Sequence, residues 1–202
     1  MTESALRRLL LFIAQSHAQP WNHSAAARVL SVDYKTIQRH IELFEGAYFL
    51  RQLAPFDRNL RKRLRKAPKL FVRDSGLLHA LLTIRSMRDL RAHPLLGHSW
   101  EGFALEQTIR TLRLREQECF TYAVHSGDEM DLVVERSGKL YGFEYKHNDA
   151  PGKTPSMLGA KRDLGLAGVL VIHPGDRDYG LGDDIEAIAL RNLPALRMRL
   201  GW

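Results

Sequence analysis

The 202-residue chain has a single cysteine, Cys119, which excludes an intramolecular disulfide framework and a Cys-rich zinc module. It also lacks long apolar runs. The longest near the N-terminus, Leu9 to Ala14, falls far short of the roughly 18–20 residues that a membrane span needs. That run follows Arg7-Arg8, the order found in a signal peptide, but it is shorter than the roughly 7–15-residue apolar core of such signals. Leu6, Leu9, Leu10 and Ile13 instead share one helical face, which predicts an amphipathic core helix and a cytoplasmic chain. Apolar residues at 45% and charged residues at 26% match ordinary globular usage, so a wholly disordered or collagen-like chain is excluded. No internal repeat or low-complexity tract interrupts it.

Acidic residues are scarce in one place. Between Arg51 and Arg73 stand Arg51, Arg58, Arg61, Lys62, Arg63, Arg65, Lys66, Lys69 and Arg73, with only Asp57 against them. Nine against one gives this segment +8 of a total of +7, so the other residues sum to −1. So local a basicity points to a polyanion, nucleic acid (DNA or RNA) first of all. The alternatives are a solvated loop or a patch facing an acidic protein.

The first half reads as helices. Ser4 is placed to cap a helix through His17, which Pro20-Trp21-Asn22-His23 breaks. Ser24 opens a short helix carrying Ala26, Ala27, Val29 and Leu30. Ser31-Val32-Asp33 then makes a three-residue turn with Asp33 as the next cap. A third helix follows to Gly46, with Tyr34, Ile37, Ile41 and Phe44 at helical spacing. Two short helices joined this way form a helix-turn-helix pattern, and Lys35, Gln38, Arg39 and Glu42 lie off the apolar stripe, where base-reading side chains belong. Tyr48–Leu53 and Lys69–Arg73 read as strands flanking the basic stretch, so the whole predicts a winged helix-turn-helix over residues 1–94. A plain three-helix scaffold would show the same pattern. Asp74 is the expected cap of the next helix, and the polar segment from Arg85 to Pro94 is expected to be a structureless linker.

The second half, 95–202, alternates differently. A helix over Ser99–Leu114, burying Trp100, Phe103, Ala104, Ile109 and Leu112, leads to strands at Cys119–Val124, Met130–Glu135 and Leu140–Lys146. Arg136-Ser-Gly-Lys139 is a hairpin turn between the last two. A helix over Pro155–Leu164 precedes the apolar run Val169–Ile172, suited to a buried strand. The expected order is therefore αβββαβ, in a mixed α+β or α/β fold.

Charges interrupt these strands. Side chains two apart on a strand share a face, so Glu144 and Lys146 project together, and the hairpin brings Asp131 alongside. Two carboxylates on adjacent strands form a hard oxygen site suited to Mg²⁺ or Mn²⁺, and a lysine beside it can orient water or offset a phosphate charge. This chemistry is metal-assisted phosphodiester hydrolysis. A cross-strand ion pair, with Glu101 simply solvated, would also account for these residues. His125, His147 and His173 lie near strand ends, within reach of the metal, but read as surface or capping residues; Glu106 reads as solvated, Asp183-Asp184 as a helix cap rather than a second metal site, and Cys119 as core.

Three runs carry a family resemblance: Gly97-His-Ser-Trp-Glu101, Gly127-Asp-Glu-Met-Asp131-Leu-Val-Val and Gly142-Phe-Glu144-Tyr-Lys146. Together they resemble the PD-(D/E)XK nuclease superfamily, and the first is similar to the helix motif of its archaeal Holliday-junction resolvases. Upstream, Lys35-Thr-Ile-Gln-Arg-His-Ile, Ala47-Tyr-Phe-Leu-Arg-Gln-Leu-Ala-Pro and Lys69-Leu-Phe-Val-Arg-Asp-Ser-Gly-Leu resemble the C-terminal part of a large group of prokaryotic AAA+ ATPases. In that group a P-loop domain precedes a winged helix and a nuclease-like domain. The resemblance implies a restriction-endonuclease-like second domain with Glu101, Asp131 and Glu144 as metal ligands and Lys146 as the catalytic lysine. The helix-turn-helix face and the basic run supply the expected nucleic-acid contacts, Lys35, Gln38, Arg39, Arg58, Arg61, Lys62, Arg63, Arg65 and Lys66, with duplex or branched DNA as partner; the resemblance adds an AAA+ ATPase as a second one.

The chain departs from the pattern in two respects. No G-x-x-x-x-G-K-[ST] run occurs, so no ATPase activity is expected of it, and it is a fragment, a separate gene product or a form that has lost that half. Met130 stands where the superfamily has its proline. Two functions follow as expectations: a Mg²⁺- or Mn²⁺-dependent nuclease acting on DNA, or a non-catalytic module that binds DNA or protein for an ATPase.

Overall fold

A computed structural model describes residues 2–56, 67–124 and 127–202. The fold is mixed α+β, and the chain divides into two units. Among the described residues no helix is long and apolar enough to cross a membrane.

In the first unit, α1 (Glu3–Gln15) starts at Thr2, whose hydroxyl accepts the Ala5 N–H, so the cap is Thr2 rather than Ser4. Its apolar stripe behaves as read: Leu9 and Ile13 are fully buried. Likewise α2 (His23–Leu30) is capped by Asn22 rather than Ser24, because the Asn22 carboxamide oxygen accepts the Ala25 N–H. Ser31 takes the left-handed conformation that ends α2 (φ 54°), and Asp33 caps α3 (Tyr34–Gly46) by accepting the Lys35 and Thr36 N–H groups. The three-residue turn is therefore as the sequence has it. Ile37 and Ile41 are buried, whereas Tyr34 remains on the exposed side. A short sheet of β1 (Gln19–Pro20), β2 (Leu50–Leu53) and β3 (Lys69–Val72) runs in the order β1-β3-β2, with β1 antiparallel to β3. Leu9, Ile13, Trp21, Ile37, Ile41 and Leu70 close this core.

Asp74 caps α4 (Ser75–Leu81) by accepting the Leu77 N–H at 2.7 Å. The segment expected to be structureless contains α5 (Met87–Ala92). Ser86 accepts the Asp89 N–H and gives this short polar helix a start that its missing apolar periodicity had concealed. The next helix, α6 (Leu96–Leu112), begins three residues before its expected start.

The first unit comprises residues 2–52 and 67–103, and the second 53–56 and 104–202. A single boundary at 94/95 differs from this division in two places. The first turns of α6 bond within the first unit, where His79 and Ser99 lie 2.7 Å apart. Residues 54–56 pair along the edge of the second unit's sheet, with the Phe56 N–H donating to Thr121 O at 2.7 Å.

That sheet has six strands: β4 (Cys119–Ala123), β5 (Glu129–Arg136), β6 (Lys139–Tyr145), β7 (Gly168–His173), β8 (Tyr179–Gly182) and β9 (Ile185–Ala189). Their order is β4-β5-β6-β7-β9-β8. β4, β5 and β6 are antiparallel, β6, β7 and β9 parallel, and β8 antiparallel to β9. Ser137 and Gly138 both take positive φ (52° and 72°) in the two-residue β5–β6 turn, the geometry that matches strand twist and favours glycine. α7 (Pro155–Leu164) starts at Thr154 and crosses over between β6 and β7. α8 (Leu193–Leu200) closes the chain.

Candidate functional site

β6 is buried from Gly142 to Tyr145, and its parallel neighbour β7 is apolar along nearly its whole length. Two carboxylates lie in this interior: Glu144 is 5% exposed and Asp131 7%. The hairpin register explains their meeting. Leu132 pairs with Phe143, so the next residue on each strand is Asp131 on one side and Glu144 on the other. The Tyr145 N–H donates to Asp131 Oδ2 at 3.1 Å. Lys146 Nζ donates to Glu144 Oε1 at 2.7 Å, and the Lys146 N–H continues the ladder to Ile172 O. Burial alone would lower the Lys146 pKa. Glu144 in contact, with Asp131 and Glu129 nearby, outweighs burial and holds the ammonium above its ordinary range. Lys146 is therefore a fixed cation, unable to act as a base near neutral pH. Asp131, Glu144 and Lys146 thus form one constellation, as their spacing predicted.

Glu101 has a different setting. Within the first unit, Lys69 Nζ donates to its Oε1 at 3.0 Å, and His98 Nδ1 lies 3.8 Å from Oε2. It is not the solvated residue that the ion-pair alternative assumed. Lys69 was legible only as one more charge in the basic run. Among the described residues, no three His, Cys, Asp or Glu side chains gather as a metal-binding group.

Further corrections follow from burial. Glu106, expected to be solvated, is 2% exposed, and Arg110 of the next turn approaches it to 4.0 Å. Phe103, expected in the core, is 38% exposed. Asp183 and Asp184 precede a strand and cap no helix; both have positive φ in the β8–β9 turn and bond to Lys153 and Lys161. His147 is exposed and His173 fully buried, while His125 lies outside the described residues. Cys119 is buried, as expected.

On α3, Lys35, Gln38, Arg39 and Glu42 are all exposed, and Gln38 donates to Glu42 at 2.9 Å. From the basic run, Arg58, Arg61, Lys62, Arg63, Arg65 and Lys66 lie outside the described residues. The other three are engaged: Arg51 is buried, Lys69 holds Glu101, and Arg73 stacks over the Tyr48 ring at 5.3 Å. These three belong to the framework of the first unit.

Two family models divide the chain. Residues 2–88 match a domain of unknown function, DUF8612, and residues 96–193 match a second, DUF4143. The latter is a domain found in AAA-ATPase-associated proteins. The chain is similar to uncharacterized proteins Mb2031c of Mycobacterium bovis and Rv2008c of Mycobacterium tuberculosis, 37% identical to each over 185 residues. The match takes in 92% of the chain but 42% of either relative, so the chain spans less than half the length of these curated relatives.

Proposed function

We propose that the second unit is a PD-(D/E)XK-type nuclease domain that hydrolyses phosphodiester bonds, and that the first is a winged helix that holds DNA. The observation that carries this reading is the set Asp131, Glu144 and Lys146 on two neighbouring strands: both carboxylates are buried, Lys146 Nζ donates to Glu144 at 2.7 Å, and the Tyr145 N–H donates to Asp131 at 3.1 Å. The succession α6, β4, β5, β6, α7, β7 supports it. So does the exposure of Lys35, Gln38 and Arg39 on the second helix of the helix-turn-helix.

The donor set fits a hard dication. Mg²⁺ commonly keeps several waters and takes one or two carboxylates plus substrate phosphate, so Asp131 and Glu144 suffice for Mg²⁺ or Mn²⁺. When bound, the cation supplies Lewis-acid stabilisation of the charge that builds on the phosphate. The chain's own groups do the rest. The Tyr145 N–H orients Asp131, Lys146 orients Glu144, and the Lys146 ammonium offsets charge at the phosphate. Glu101, which the family resemblance names as a further ligand, belongs to the first unit and pairs there with Lys69. An AAA+ ATPase as partner and a cytoplasmic location belong to the same proposal.

Titration calorimetry tests the site. Mn²⁺ is expected to bind the wild-type chain and to lose that binding in Asp131→Ala; equal affinity in both ends the metal-site reading.

One observation favours a second reading. Lys69 holds Glu101, as in a site that has exchanged metal binding for an ion pair. On this reading the chain is a non-catalytic module that binds DNA or protein for an ATPase. DNA binding without cleavage in Mg²⁺ or Mn²⁺ is its expected signature.

A further inference from the structure

The parallel strands β6 and β7 end side by side at Tyr145 and His173, and the loops that follow border an open cleft of about 380 Å³. Asp149, Ala150, Pro174, Gly175, Asp176, Arg177 and Tyr179 line it. The carboxyl ends of parallel strands are where open α/β sheets take ligands, and the volume is that of a small-molecule site. Asp149 follows Lys146 by three residues, so the cleft adjoins the loop leaving the candidate site.

The chemistry of the lining is uneven. The acids of the 176–178 loop are engaged: Asp176 pairs with Arg191, and Asp178 accepts from the Ala189 N–H and Asn192. Arg177 between them is exposed and makes no ion pair among the described residues. Tyr179 is fixed at both ends: its hydroxyl donates to Pro151 O at 2.8 Å and its ring packs on His173 at 5.7 Å. Gly175 leaves the wall as bare backbone, since a Cβ there would lie 2.3 Å from Asp149 O. Beneath Gly175 and Tyr179 lies His173, fully buried. Its Nδ1 accepts the Gly175 N–H at 3.2 Å, so Nε2 carries the proton, and that N–H has no partner among the described residues. A buried donor left unanswered is uncommon, and this one adjoins two residues of the cleft.

We propose that this cleft binds one unpaired nucleotide, with its base on the Tyr179 ring and its phosphate at Arg177. A fixed aromatic face accepts any base by stacking, and an unengaged guanidinium beside it suits the phosphate. A base held in a duplex enters such a cleft only after flipping, so the preferred DNA has an unpaired base beside a branch or nick. That this nucleotide flanks the cleaved bond rests on the nuclease reading above; that the cleft takes a nucleotide does not.

Saturation-transfer NMR on the full chain, with dAMP and separately with inorganic phosphate, tests the cleft. Transfer to the adenine protons is expected in the wild type and in Lys146→Ala. Arg177→Ala, an exposed position whose fold is checked by thermal melting, is expected to weaken dAMP at least fivefold, and Tyr179→Leu to abolish the adenine signal. No transfer from wild type, or transfer unchanged in both variants, overturns the proposal, as does phosphate binding without adenine transfer. A second arm compares a branched duplex carrying one unpaired 2-aminopurine with a fully paired one. Wild type is expected to prefer the first at least tenfold and Arg177→Ala to lose that preference. Cleavage in Mn²⁺ without the preference removes the substrate assignment and leaves the nuclease reading intact. Binding of dAMP without any cleavage leaves the cleft assigned and removes that reading.

Discussion

Gly102 on α6 faces His17 so closely that a Cβ at this position would lie 2.2 Å from the ring Nε2 and 2.5 Å from Cε1. The ring has no room to yield. Its Nδ1 accepts the Val72 N–H at 3.0 Å, it packs edge-on to Phe71 at 5.7 Å, and it is 2% exposed. Gly102→Ala is therefore expected to destabilise the first unit by about 1–3 kcal/mol, as overpacking does, despite alanine's better helix propensity. Gly97→Ala on the same helix is the control, since nothing lies within 4 Å of its Cβ. Urea denaturation should show the loss at 102 and a neutral or stabilising effect at 97.

The same histidine gives the protein an acid-sensitive point. Burial lowers its pKa to about 4, assisted by the nearby His98 and His79 and opposed by the His98 backbone carbonyl, an acceptor that favours the protonated ring. The folded state thus favours the neutral ring, and that preference stabilises the fold fully above about pH 6.5, the unfolded value. It is lost as pH falls from there towards 4, amounting to about 3 kcal/mol over the window. Unfolding free energies measured across this range should fall by up to about 1.4 kcal/mol per pH unit from this residue. His17→Asn keeps an acceptor for the Val72 N–H, and its profile should be flatter by about that slope. An unchanged slope would assign the acid sensitivity to other groups.

Periodicity and cap chemistry made most of the fold legible. The Leu9–Ile13 stripe, the Asp33 and Asp74 caps, the Ser137-Gly138 turn and the apolar run of β7 each follow from neighbours within a few residues. Asp131, Glu144 and Lys146 were legible for the same reason, because a hairpin fixes their register locally. What escaped depends on distant partners. Lys69 reaches Glu101 across 32 positions, and His17 reaches Val72 across 55. Nothing local marks Lys69 as different from the charges before it, or Gly102 as the space for a ring. α5 was missed because a six-residue polar helix with no buried residue has no apolar period. Thr2 and Asn22 take the caps assigned to Ser4 and Ser24 because the helices begin a little earlier than their apolar faces indicate.

The basic run bears on nucleic-acid affinity. Arg51, Lys69 and Arg73 are engaged within the protein, so a test of the proposed phosphate contacts is best aimed at the cations between them. If Arg61, Lys62 and Arg63 meet phosphates, duplex affinity should fall log-linearly with salt as counterions are released. Neutralising all three should then flatten that slope by about 0.9 for each phosphate no longer met by a cation. Any sequence preference should survive, because binding to phosphates positions the protein without reading bases. Fluorescence anisotropy at a series of salt concentrations checks this, and an unchanged slope would leave the run as solvated charge.

Lys146→Ala separates a nuclease from a binding module. The ammonium is held above its ordinary pKa by Glu144 at 2.7 Å, with Asp131 and Glu129 nearby, so its part in the proposed reaction is that of a cation. Its removal takes away no proposed metal ligand. Mn²⁺ and DNA should both still bind, and Mn²⁺ somewhat more tightly once the competing charge at Glu144 is gone. Strand cleavage should fall by about two to three orders of magnitude, the usual cost of one electrostatic group at a developing charge. Lys146→Arg keeps a cation and should retain more activity than the alanine variant. Branched, nicked and plain duplexes should each be assayed in Mg²⁺ and in Mn²⁺. If the wild type binds DNA and cuts none of them, the binding module is the correct reading. If Lys146→Ala instead unfolds the second unit, the pair with Glu144 is an ion pair that supports the fold.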